Sequence, residues 1–467
     1  MDNIQDIAMK VLERTKLRGA SFSEVLVSQG ESSLKRISKG QVYQPTAGEG
    51  MSISFSCIID GKRVNSACDS LKALDEQIEN MFFLAKDLPR EENLFVPDRP
   101  FPKVTLGPGV TYDEETAKLE DERLIETIGR VNEVLAPEGF IFAGSVSHGR
   151  DEIVFANSIG TYQSYISTRA ALQIFGFDPK DYSISALRTV AGKSLSQFPV
   201  EELAKNVADK LSYQREYLTR SGGKRIDPFE GKTEPRRFDV IMEPSCWAGL
   251  LAIFSGSWNG KEFHDGTSFF SGKLGSQVMG KNITIFDDPM SPDGIPKPFD
   301  WEGHPTEKLA LVEGGIARNV VYDSALAKKY GTNSTGHALP PSMRYYGAVP
   351  EHLVVKGGDS SVEEMIRESK DPTLWITTLH YIRCTHQQDG RETGTTLHGV
   401  FLVKDGEVVG PTEHLRFEES VPEALSRVTH LGRSLPTLSM ETDETPYIVP
   451  PMRSEGFRFV SVADRKV

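Results

Sequence analysis

The chain has 467 residues, with 53 Lys and Arg against 66 Asp and Glu, giving a formal net charge of −13. An acidic balance without a block of basic residues argues against a protein that binds nucleic acid by neutralising phosphates. The 38% hydrophobic and 25% charged residues are ordinary for a globular fold, and this length leads to an expectation of about three domains.

The first residues, Met1-Asp2-Asn3-Ile4-Gln5-Asp6, lack the basic region and apolar core of a signal peptide. No run approaches the ~18 apolar residues that a spanning helix needs. Cys57, Cys68, Cys246 and Cys384 form no CxxC pair, so neither a disulfide framework nor a zinc knuckle is indicated. A cytoplasmic protein without a membrane partner is expected.

Ile4, Ile7, Ala8, Val11 and Leu12 recur at three and four residues and predict a helix that stops at Gly19. A strand over 51–59 puts Met51, Ile53, Phe55, Cys57 and Ile59 on one face and serines on the other. Asp60-Gly61 then turns the chain toward a partner strand near Val64. A second helix is expected over about 70–86, with Leu71, Leu74, Ile78, Met81, Phe82 and Ala85 inward. Together these make an N-terminal helix–hairpin–helix α+β domain, 1–110. Its end is a linker, 87–112, marked by Pro89, Pro97, Pro100, Pro102 and Gly107-Pro108-Gly109.

A mixed α/β central domain, 111–228, follows. It opens with a long helix over about 114–135, in which Leu119, Ile125, Ile128 and Val131 are the buried candidates. Strands are expected at 140–147, 153–156 and 160–175, a helix at 200–218, and a connector at 220–237. The remainder, 229–467, reads as a large β-rich C-terminal domain. It has a short strand at 238–242, an apolar helix at 246–254 and Gly- and Asp-rich loops from 256 to 303. Strands follow near 309–312, 316–321, 353–355, 375–385 and 400–404, with an Asp405-Gly406 turn and a helix near 422–428. Helices and strands mix without strict alternation, so the fold class is α+β rather than doubly wound.

The common catalytic signatures are absent from the sequence. Gly192-Lys193-Ser194 resembles the tail of a phosphate loop, but the glycine required five places earlier is Leu187. There is no Gly-x-Ser-x-Gly nucleophile turn and no His-Glu-x-x-His zinc helix. Two groups of residues keep chemical potential. Alternation along 375–386 would put His380, Cys384 and His386 on one strand face, with Cys384 and His386 about 6.6 Å apart at Cα. His398 on the next strand is a possible further ligand for a soft divalent ion. The second group is Asp287-Asp288 with Phe299-Asp300-Trp301-Glu302-Gly303-His304, which could hold a cation or a peptide amine, or could simply cap turns.

One ordered series of segments points to a family. Phe238-Asp-Val-Ile-Met-Glu-Pro244, then Gly266-Thr-Ser-Phe-Phe-Ser-Gly-Lys-Leu-Gly275, Ile283-Thr-Ile-Phe-Asp-Asp-Pro289 and Phe299-Asp-Trp-Glu-Gly-His-Pro-Thr306 resemble the TldD/PmbA (TldD/TldE) proteins. Gly331-Thr-Asn-Ser-Thr-Gly-His-Ala338, Phe401-Leu-Val-Lys-Asp-Gly-Glu407 and Ala156-Asn-Ser-Ile-Gly160 extend the resemblance over nearly the whole chain. In that family TldD-type subunits carry His-Glu-x-x-x-His, bind zinc and cleave peptides, and TldE/PmbA-type subunits lack the motif and pair with them. By resemblance Ala252 and Ser257 stand where the two histidines would be, and Ile253 where the glutamate would be. The family's further cysteine ligand is missing too, since Cys384 is the last cysteine.

The resemblance therefore implies a PmbA/TldE-type subunit without a catalytic or metal site of its own. Zinc is expected in a TldD-type partner, in a heterodimer, or the chain would form a homodimer, and the substrate would be an unfolded peptide. Asp300, Glu302, His304, Trp375 and Thr377 are the expected wall of the enclosed chamber, with the strand at 375–385 offering an edge to a peptide. The alternatives are a metallopeptidase in its own right using His380, Cys384, His386 and His398, or a regulator acting on DNA gyrase through protein contacts, a label the family has carried.

Overall fold

The structure, a computed structural model, describes residues 3–91, 94–441 and 445–463. The N-terminal helix α1 (Ile4–Leu17) is capped by the Asn3 side chain and turns Ile4, Ile7, Ala8, Val11 and Leu12 inward. Strands β1 (Phe22–Ser38), β2 (Gln41–Ile59) and β3 (Lys62–Cys68) follow, then helix α2 (Leu71–Leu84). Asp60 and Gly61, both at positive φ, form the expected tight turn between β2 and β3.

The long helix expected over 114–135 is two helices. The Asp113 side chain caps a single turn, α3 (Glu114–Ala117), and α4 (Asp121–Leu135) starts afresh after Glu120. The restart sets the phase: Leu124, Ile128, Val131 and Leu135 share the buried stripe, and Ile125 is 54% exposed, outside the core where the sequence reading had put it. Strands β4 (Ile141–Asn157), β5 (Tyr162–Phe177) and β6 (Ser185–Gly192) come next, then helix α5 (Val200–Ser221), ended by Gly222 in the left-handed region. Strand β4 is one unbroken element where two short strands were expected, and β6 was not foreseen.

These six strands form one antiparallel sheet in the order β3-β2-β1-β4-β5-β6. Strand β1 pairs with β4 from Glu24 opposite Asn157 to Ile37 opposite Gly144. The border expected at 110/111 therefore separates no two sheets. Helices α1 and α2 pack on one half of the sheet, around Val25, Ile53 and Phe55, and α4 and α5 cover the other, around Leu172 and Ile174. Leu26, Ile153, Phe155 and Tyr165, from the opposite face, pack against Phe299 of the C-terminal half. The later part of the expected linker, 101–104, lies against this sheet: Phe101 N donates to Thr161 Oγ1 and Val104 N to Gln163 Oε1.

The C-terminal half begins with β7 (Arg236–Met242), the apolar helix α6 (Pro244–Phe254) and the short helix α7 (Gly260–Asp265). A second sheet joins β8 (Ile285–Asp287), β9 (Leu309–Glu313), β10 (Ile316–Ala317) and β11 (Leu353–Val355) to two strands near the C-terminus. Helices α8 (Ser324–Tyr330) and α9 (Val362–Arg367) flank β11 in sequence. Strands β12 (Thr373–His386), β13 (Arg391–Lys404), β14 (Glu407–Pro411) and β15 (Leu415–Ser420) lead into helix α10 (Val421–Ser426) and β16 (Val428–Leu431). The last strands are β17 (Leu435–Thr437), β18 (Tyr447–Val449) and β19 (Met452–Val462), of which β17 and β18 complete the second sheet.

The third sheet runs β12-β7-β19-β15-β13 and closes on itself, because β12 also pairs with β13. The largest core lies here, with Trp247, Leu250, Leu251 and Phe254 of α6 against Ile376, Ile382, Phe417 and Phe457. The α+β class holds throughout. Among the described residues no helix is long and apolar enough to cross a membrane.

Candidate functional site

Helix α6 is where a zinc site would sit by resemblance. Proline at its first position and an apolar run explain the helix, and Gly249 lets it press against β12, where a Cβ would meet Ile382 at 2.7 Å. Ala252 and Ile253 are half-buried on its last turn. Ser257 is 4% exposed on the following single-turn helix, and its carbonyl accepts from Ser268 Oγ. A methyl group and a branched alkyl chain offer no lone pair, and Ser257 is packed into the core. These three residues do not fit a zinc ion.

The strand opposite α6 does not assemble the second candidate group either. Strand β12 is bulged between His380 and Arg383 and again between Cys384 and His386, with Tyr381 at positive φ. Each bulge breaks the alternation on which the shared face depended. Ile382 turns into the core, Cys384 and His386 are exposed, and His386 Nδ1 sits 3.2 Å from Asp389. His398, also at positive φ, leaves for the first sheet: its Nδ1 is 3.1 Å from Ser185 Oγ and its ring stands edge-on to Phe175. Burial pushes its imidazole down to about 3, and His414 and His380 add repulsion. Among the described residues no group of three or more His, Cys, Asp or Glu could hold a metal ion.

The expected chamber wall is mostly interior. Trp375 is 6% and Thr377 1% exposed. Residues 373–376 of β12 hydrogen-bond to β7 on one side and β13 on the other, so that stretch has no free edge for a peptide. The Trp375 Nε1 donates to Glu243 Oε1, which also receives Lys210 Nζ at 2.6 Å. Asp300, 1% exposed, accepts the amides of Glu302, His304 and Ala338. Its role is to shape the 299–306 loop, which is the turn-capping alternative. His304 Nδ1 contacts its neighbour's carbonyl at 2.8 Å and its ring packs edge-on against Phe101. Glu302, 6% exposed, lines a cavity on the side of the first sheet.

Asp287, read from the sequence as a cation ligand or turn cap, instead meets His337 and so joins two of the family-like segments. Two other buried polar groups escaped the sequence reading. Lys210, on the inner stripe of α5, and Arg188 both pair with Glu243. The spacing of Lys210 from Val207 and Gln214 was the one available signal. Glu392, on β13, is 1% exposed with an unpartnered Oε2, and burial together with nearby Glu441 pushes its carboxyl well above the usual range.

Comparison with known proteins decides the family. Residues 235–461 match the family described as "PmbA/TldA metallopeptidase C-terminal domain". Residues 235–461 therefore belong to the TldD/PmbA family. Metalloprotease PmbA of Escherichia coli O157:H7 is 24% identical over 340 residues, 70% of this chain and 64% of that protein. A metalloprotease of Archaeoglobus fulgidus is 36% identical over 198 residues, 42% and 45% of the two chains. The matched stretches thus span roughly half to two thirds of such relatives. The crystal structure of TldE from Thermococcus kodakarensis superposes with a TM-score of 0.82 at 21% identity, covering 97% of this chain and all of that one. A Thermotoga maritima protein titled as a proposed modulator of a DNA gyrase gives 0.80 at 17% identity, covering 98% and 100%. These likenesses establish a shared fold. The chain is similar to proteins named as PmbA-type metalloproteases.

Proposed function

We propose that this chain is the PmbA/TldE-type subunit of a cytoplasmic TldD/TldE-type complex that degrades or processes unfolded peptides. The supporting observation is chemical: Ala252, Ile253 and Ser257, which by resemblance fall at the family's zinc positions, include no imidazole or carboxylate to hold zinc or act as a general base. In this reading zinc and peptide cleavage belong to a TldD-type partner, and the present chain contributes surface to the chamber. A free strand edge for main-chain pairing lies along 41–50 of β2, which is exposed on both faces and beyond the reach of β3.

The test mixes the purified chain with a TldD-type subunit carrying His-Glu-x-x-x-His and follows casein cleavage, zinc content and mass in solution. Cleavage and a hetero-complex only with both chains support the reading. Chelator-sensitive cleavage by this chain alone, with about one zinc bound per chain, overturns it.

A further inference from the structure

A cavity of about 330 Å³ opens between the first sheet and the C-terminal half, within the range that holds small ligands. Its charged walls come from distant parts of the chain. Glu24 of β1 pairs with Arg63 of β3 at 3.2 Å and with Arg344 at 3.4 Å, and Arg344 also holds Glu302 at 2.5 Å. Other guanidinium donors go to neighbouring oxygens: Arg63 to the Ser56 hydroxyl and the Phe95 carbonyl, Arg344 to the Trp301 and Leu339 carbonyls. Two cations therefore serve two carboxylates.

Glu91 and Asp323 also line this wall: Glu91 accepts the backbone amide of Arg63, and Asp323 has no cation within ion-pair distance among the described residues. It is 3% exposed; one oxygen accepts the amide of Leu326 at 2.7 Å, and no hydrogen bond reaches the other. Asn65, also on the wall, keeps a buried Oδ1 without a partner. Buried acceptors without donors are rare in folded proteins because each carries a desolvation penalty. The unmet Asn65 Oδ1 and the Asp323 carboxylate border the same space, beside the Phe22 and Phe95 side chains.

We infer that this cavity binds an organic monocation with a primary ammonium head, whose three donors are met by Asp323 and the Asn65 Oδ1. The head replaces a missing cation, and a short carbon body lies along the aromatic wall. Such a head occurs on a free alkylamine and at the amino end of a short peptide. Without a ligand, burial and nearby Glu302 push Asp323 up to about 7, so binding near neutral pH expels a proton. This site is independent of the subunit reading: it can be present or absent whatever a TldD-type partner does.

The test is calorimetry on the full chain with n-butylammonium, trialanine amide and N-acetyl-trialanine amide, at pH 6 and pH 8 and in two buffers of different ionisation heat. Binding of either free-amine probe but not of the acetylated one supports the site, and the probe that binds tells amine from peptide. Affinity should rise from pH 6 to pH 8, with heats at pH 7 that depend on the buffer. Asp323→Asn, which can still cap α8, should weaken binding at least tenfold, and Asn65→Ala should weaken it severalfold with an unchanged melting curve. Equal binding of the acetylated probe, unchanged affinity in both variants, or no binding of any probe at millimolar concentration overturns the inference.

Discussion

His337 Nε2 lies 3.0 Å from Asp287 Oδ2, and the two side chains are 3% and 1% exposed. The other Asp287 oxygen accepts the amide of His352 at 2.7 Å, and His337 Nδ1 meets Thr335 Oγ1 at 3.0 Å. Burial works against a charged Asp287, but the hydrogen bond from His337 and the charges nearby hold its carboxyl below the usual range. The pair thus fastens the Gly331–Ala338 segment to the edge of β8 and β11. Asp287→Ala should cost about 3 kcal/mol, since it strands two buried donors. Urea unfolding followed by circular dichroism measures it; a loss under about 1 kcal/mol would show that water replaces the carboxylate.

His398 makes stability depend on pH. Its folded value, about 3, lies below the ordinary 6.5, so between these values the unfolded chain binds more protons. Its contribution is complete above pH 6.5 and is lost as pH falls toward 3. The window is worth on the order of 2–4 kcal/mol, the lower figure allowing for the ring's partial exposure. His398→Gln keeps a polar partner for Ser185 and removes the titration. The gap between wild type and variant in unfolding free energy should therefore shift in the variant's favour between pH 7 and pH 4.5. Parallel losses in both proteins would rule His398 out as the source.

How much of this was legible beforehand follows from which signals are local. The β2–β3 turn could be read because Asp60-Gly61 supplies positive φ within two residues. The break after Ala117 could not, because Glu120 makes no side-chain cap and the charged sequence runs on without a stop signal. Strand β4 could not be read as one element, because its polar middle, 147–152, lacks an apolar alternation and is held by β1 and β5 on either side. The site divides in the same way. That Ala252 and Ile253 carry no lone pair for a metal is a matter of residue identity and needs no structure. The proposed His380–Cys384–His386 face assumed unbroken alternation, and two bulges remove it. Asp323, Glu24 and Arg344 come from three distant segments, and nothing in their neighbours' sequence marks them as one wall.

Glu243 precedes α6 and ties it to α5 and to the first sheet. It receives Lys210 at 2.6 Å, pairs with Arg188 and accepts Trp375 Nε1 at 3.1 Å. Burial and Arg188 pull the Lys210 ammonium down to about 8, against the attraction of Glu243. Removing one partner of a buried ion pair leaves the rest uncompensated, so Glu243→Ala should cost about 3–5 kcal/mol. Pairing Glu243→Gln with Lys210→Met should be milder, because the charge deficit is removed together with its partner. Thermal unfolding of the single and double variants gives the comparison, and a double variant as unstable as Glu243→Ala would mean that packing, not charge, sets the loss.

Glu392 offers the opposite sign. Its carboxyl is 1% exposed beside Glu441, with one oxygen unpartnered, and folding holds its proton well above the usual range. The folded chain then binds more protons than the unfolded one at neutral pH, so this residue's stability term falls as pH rises past the ordinary carboxylate range. Glu392→Gln keeps the shape and removes the titration. It should raise the melting temperature at pH 7.5 by on the order of a few degrees, and the gain should shrink at pH 5, where the wild-type proton costs little to hold. A variant that melts lower than wild type at pH 7.5 would mean that the Glu392 carboxylate is charged and bonded in the folded chain.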